Sequence, residues 1–77
     1  MRTTRRLVDL PPGARATVSA VSTDISLRRR LDAMGLRPGQ TVQVLRRGWW
    51  SGPLHLRVGM TELMLRRRDA GCVALAA

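Results

Sequence analysis

The chain has no lysine, no tyrosine and no phenylalanine, and it has only one cysteine, one histidine and five acidic residues. Each scarcity excludes something. One cysteine cannot close an intrachain disulfide, which fits a reducing compartment. One histidine with scattered acids makes no Cys-x-x-Cys, His-x-x-x-His or Glu-x-x-His spacing, so a single chain offers no closed metal site. Asp9, Asp24, Asp32 and Asp69 read as cap or loop residues, and His55 as an outward strand residue, so no Ser-His-Asp set is formed. Gly48-Trp49-Trp50-Ser51-Gly52 lacks a lysine and opens no helix, so it is no phosphate loop. Catalysis, a cofactor and a small-molecule substrate are therefore not expected. With Trp49 and Trp50 the only aromatics, the core must be aliphatic. No apolar run approaches the ~18 residues of a membrane span. Arg2, Arg5 and Arg6 precede Leu7-Val8-Asp9-Leu10-Pro11-Pro12-Gly13, which is no signal-peptide apolar region, so a cytoplasmic location is expected.

What is present is arginine: all 14 basic residues, for a net charge of +9 and a pI of about 12.0. The bland explanation is a genome rich in G and C; the other is an acidic partner such as a nucleic-acid backbone, an anionic membrane or an acidic protein patch. At 77 residues the chain is one domain near the lower limit for a self-sufficient core.

Residues 1–6 are polar and basic and are expected to fray, leaving a single domain over 7–77. Ala16, Val18 and Ala20 alternate as a first strand. Ser22, Thr23 and Asp24 offer three N-caps for a helix over 25–34. In it, Leu27, Leu31 and Met34 fall on one face. Gly35 stands where a helix end needs a residue at positive φ, with Leu31 and Leu36 as the apolar pair of a Schellman cap. Pro38-Gly39 suits a type II turn. Further strands follow at 41–47, with Val42 and Val44 inward, then at Leu54, Leu56 and Val58, at Leu63 and Leu65, and at Val73 and Leu75. A tight connection joins the last two over 66–71, and Cys72 reads as a small buried hydrophobe. Met34, Met60 and Met64 are too dispersed for soft-metal binding.

This order of signals resembles the FeoA family of bacterial ferrous-iron uptake. The features that carry the likeness are Leu7-Val8-Asp9-Leu10-Pro11-Pro12-Gly13, the run 27–42 with its Gly35 and Pro38-Gly39, Gly59 with Thr61 to Arg67, and Asp69-Ala70-Gly71-Cys72-Val73-Ala74-Leu75. Five short strands and one helix after the first strand, with a single aliphatic set facing inward, suggest a mainly β domain in a partly open barrel; the resemblance sharpens this to an SH3-like barrel with the helix over one open end. It further implies an adapter that binds the cytoplasmic side of the membrane transporter FeoB. Candidate partner-binding residues are Arg28 and Arg29 on the helix, Arg46 and Arg47 at the end of the second long strand, and Trp49 and Trp50 beyond them. Arg28, Arg29 and Arg30 spread around a helix and cannot all face one way. Self-association is a further expectation for so small a domain. Two other readings stay open: a basic barrel that binds nucleic acid through arginine and tryptophan, and a freestanding relative of the SH3-like module of iron-dependent repressors.

Overall fold

The computed structural model describes residues 5–48 and 52–76. Six strands form one antiparallel sheet: β1 (Arg5–Arg6), β2 (Arg15–Val21), β3 (Thr41–Arg47), β4 (Leu54–Val58), β5 (Thr61–Leu65) and β6 (Val73–Leu75), in the order β1-β6-β2-β3-β4-β5. Helix α1 (Ile25–Ala33) joins β2 to β3, and a single helical turn, α2 (Arg67–Ala70), joins β5 to β6. Strand β2 serves both halves of the sheet: Arg15 to Thr17 pair with β3, and Val18 to Val21 pair with β6. Irregular steps between Val18 and Ala20 and between Val44 and Arg46 bend β2 and β3. Such bulges coil a flat ribbon toward a barrel. β1 and β5 remain the two edges, so the barrel is partly open.

The core is aliphatic among the described residues. Leu7, Leu10, Val18, Leu31, Leu36, Val42, Val44, Leu54, Leu56 and Val73 are almost wholly buried. Alternation along β3 and β4 puts Val42, Val44, Leu54 and Leu56 inward, as a half-buried strand requires.

Three expectations change. Residues 5 and 6 are not frayed: Arg5 pairs with Leu75 and Arg6 with Ala74, which adds a sixth strand. The Arg6 guanidinium also donates to the Gly71 carbonyl at 2.7 Å. Ala20 does not continue the inward set, because the irregular step after Val18 shifts the pleat; Ser19 and Ala20 are both exposed and Val21 is half-buried. Cys72 is only partly buried. The 66–71 connection is tight, as expected, and takes the form of a helical turn that buries Asp69 and Ala70. The 3₁₀ turn Leu7–Asp9 and the residue after it sink Leu7 and Leu10 into the core.

Candidate functional site

Helix α1 is positioned at both ends by residues of its own sequence. Of the three candidate caps, Asp24 accepts from the Leu27 N–H at 2.8 Å. At the other end the Leu36 N–H reaches the Leu31 carbonyl and the Gly35 N–H the Asp32 carbonyl, both at 2.9 Å. That is the two-bond Schellman pattern, with Gly35 at φ +94° and Leu31 and Leu36 both buried. The chain then turns through Pro38 and Gly39, the latter at φ +92°. The Gln40 N–H closes this turn onto the Arg37 carbonyl, as the type II assignment requires. Two 2.8 Å bonds, Gly39 N–H to Val18 C=O and Val18 N–H to Gln40 C=O, hook the turn to β2.

The result is a groove of about 500 Å³ between α1 and β2. One wall is Ser19, Ala20 and Val21; the other is Ile25, Arg28, Arg29 and Asp32, at i, i+3, i+4 and i+7 on one helix face. Leu36, Arg37 and Pro38 close its end. Beyond Val18, the described residues place no strand against the groove-side edge of β2; Ala20 and Val21 pair only with β6, on the opposite edge. Arg37 Nη1 lies 4.0 Å from Asp32 Oδ1, with both side chains more than half exposed. Such a pair contributes at most a fraction of a kcal/mol. Arg28 and Arg29 have no ion-pair or hydrogen-bond partner for their guanidinium groups among the described residues.

The arginine triplet divides as helix geometry requires. Arg30 lines a different groove with Arg66, Arg68, Asp69 and Cys72. Arg46 is exposed, opposite His55 across the β3–β4 ladder. Arg47 is half-buried, and its Nη1 donates to the Leu10 carbonyl at 2.9 Å, tying the end of β3 to the N-terminal segment. Trp49 and Trp50 lie outside the described residues. The segment that contains them is clipped at its ends, where the Gly48 N–H meets the Pro53 carbonyl at 2.9 Å. Sequence reasoning missed Arg37 and Ile25 as neighbours of Arg28 and Arg29. The i, i+3, i+4 spacing of Ile25, Arg28 and Arg29 was the available signal; Arg37 has none, because the Schellman turn brings it there.

A small charged cluster lies on β4 and β5. Glu62 accepts from Arg57 Nη2 at 2.9 Å, and its other oxygen is 3.0 Å from His55 Nε2. The Arg57 hydrogen bond, more than the neighbouring His55, holds the Glu62 carboxyl below the usual glutamate range. Among the described residues, no three His, Cys, Asp or Glu side chains are grouped to hold a metal ion, and no helix is long and apolar enough to cross a membrane.

A family model described as the FeoA domain matches residues 5–76. No curated protein is significantly similar to the chain. Among solved structures, an iron uptake regulatory protein (FeoA) is 30% identical with a TM-score of 0.87, over 95% of this chain and 96% of that one. FeoA of Stenotrophomonas maltophilia, complexed with zinc and described as a prokaryotic SH3 domain protein, is 29% identical with a TM-score of 0.80, over 97% and 91% of the two chains. A manganese-dependent transcriptional repressor, 19% identical, shares the fold at a TM-score of 0.86, with this chain spanning 43% of its length.

Proposed function

The chain belongs to the FeoA domain family, and from that premise we propose that it is a non-catalytic accessory protein of bacterial ferrous-iron uptake, acting in the cytoplasm by binding the transporter FeoB and modulating its transport or GTPase activity. The family match over residues 5–76 carries this reading. The geometry supports a binding role: the described residues present grooves and charged faces rather than a nucleophile with an oriented base. The arginines favour a protein partner over nucleic acid. They are scattered over several separate grooves, two of which also hold acidic residues, whereas single-stranded nucleic acid is tracked by a continuous basic channel.

The test is capture of the purified cytoplasmic part of FeoB by the immobilised protein, with a heparin column and a mixed oligonucleotide as controls. Saturable capture of the transporter fragment with weak oligonucleotide binding is expected. Binding to the oligonucleotide alone would overturn the reading. Trp49 and Trp50 belong to the proposed contact, since tryptophan beside arginine supplies large apolar area with charge-assisted bonds. Trp49→Ala with Trp50→Ala should weaken capture and leave the melting temperature unchanged.

A further inference from the structure

We propose that the groove between β2 and α1 takes an extended, acidic segment of a partner protein, added as a strand along Ser19 to Val21, with its carboxylates on Arg28, Arg29 and Arg37. This rests on the reading of the chain as a binding module and names the chemistry of what it binds.

Three observations converge on one occupant. The first is backbone: β2 loses its β3-side neighbour after Val18, where the 37–40 turn hooks on, and the remaining stretch faces the groove without a hydrogen-bonded strand among the described residues. An unpaired strand edge is a template for an incoming extended chain. The second is charge. Arg28 and Arg29, on the opposite wall, have no partner among the described residues, and Arg37 at the end is only loosely held by Asp32, so the described groove is net positive. Arginine guanidiniums suit bidentate contact with carboxylates. The third is the apolar strip. Ile25 is 63% exposed on the same helix face, across from the exposed Ala20 and the half-buried Val21. In an added strand, alternate side chains point to opposite faces, so acidic and aliphatic residues in alternation fit the arginines and this strip.

Other occupants fit less well. A proline-rich ligand needs an aromatic-lined groove, and none of the described residues lining this one is aromatic. A second copy of the chain carries +9, and its five acids are isolated in sequence, so it offers no acidic segment. Nucleic acid has no amide backbone to pair with β2.

The probe is a short synthetic peptide alternating glutamate with valine, titrated by calorimetry and followed by amide NMR shifts. Binding is expected, with the largest shifts at Ser19, Ala20 and Val21. Lysine in place of the glutamates should abolish it, and N-methylation of alternate amides, which removes strand donors, should weaken it. Arg28→Glu with Arg29→Glu should weaken it by about tenfold or more with an unchanged melting curve, whereas Arg30→Glu, in the other groove, should not. Absence of peptide binding at about millimolar concentration, equal binding of the lysine or N-methylated peptide, or equal loss in Arg30→Glu would each overturn the proposal. Capture of the transporter fragment separates the two levels. If Arg28→Glu with Arg29→Glu captures it as well as wild type, the groove is not the contact and the adapter reading stands. If wild type fails to capture it, the adapter reading falls, and the peptide titration alone decides the groove.

Discussion

Gly35 is the residue on which the helix, the turn and the groove end all depend. Its φ of +94° is disfavoured for any side chain with a Cβ, and a Cβ built there would stand 3.2 Å from Val58 Cγ1. Gly35→Ala therefore combines backbone strain of about 1–2 kcal/mol with a tight contact on β4, and Gly35→Val adds a branch that the buried Val58 has little room to accept. In a domain of this size each ~1 kcal/mol lowers the melting temperature by roughly 4–8 °C. A thermal melt of Gly35→Ala should show a drop of at least that size, with a larger one for Gly35→Val. Wild-type melting of either would refute the Schellman assignment. Glu62 makes a second residue-scale prediction. Its carboxyl titrates below the ordinary 4.5 because Arg57 bonds its charged form. A depressed carboxylate contributes stability that is present above its unfolded value and lost as pH falls through the folded one. Arg57→Ala should therefore melt lower than wild type at neutral pH, and the gap should close in acid once Glu62 is protonated. A gap that persists at low pH would assign the effect to packing of the arginine stem.

At the scale of elements, the shortest strand is the most exposed to test. β1 has two residues, yet it covers the outer edge of β6 and brings Arg6 to the Gly71 carbonyl. β6 itself is three residues long, with Val73 and Leu75 buried. Deleting residues 1–6 should lower stability by about 1–3 kcal/mol, the scale of a few lost hydrogen bonds, and should speed hydrogen exchange at the β6 amides more than at β4. Unchanged exchange in β6 would show that the pairing is dispensable. Helix α1 shows how one element serves two purposes. Its Leu27–Leu31–Met34 face packs on the core, with Leu31 wholly buried, while its Ile25–Arg28–Arg29–Asp32 face makes a wall of the groove. Substitutions on the second face are expected to alter binding without unfolding the domain.

Over the whole molecule, charge and size act together. A net charge of +9 on 77 residues repels itself and draws acidic partners from solution. Screening acts over about 8 Å at physiological ionic strength, so association with an acidic partner should slow steeply as salt is raised, while dissociation changes little. Stopped-flow measurements across a salt series check this; a salt-insensitive association rate would mean that the contact is mainly apolar. The aliphatic core was legible because no other residues were available to fill it. The groove was not legible as a unit, since its parts, β2, α1 and the 36–38 turn, are contiguous in sequence only as a chain path that doubles back.

The sequence by itself determined the local geometry. Asp24 caps because its carboxylate reaches the Leu27 N–H, Gly35 ends the helix because it lacks a Cβ, Pro38-Gly39 turns because one residue fixes φ and the other frees it, and period-two alternation sets the inward faces of β3 and β4. These are interactions among residues a few positions apart, and side-chain chemistry suffices to specify them. Tertiary structure alone decided what depends on distant partners. Arg5 and Arg6 become a strand only because β6 offers an edge about 70 positions away. Arg47 is drawn to the Leu10 carbonyl because folding brings that acceptor beside it, and Ala20 turns outward because the irregular step in the β2–β6 ladder after Val18 shifts the pleat. Arg28 and Arg29 gain Arg37 and an open strand edge as neighbours, and Arg30 is sent elsewhere, because packing Leu31 into the core fixes the rotation of the helix.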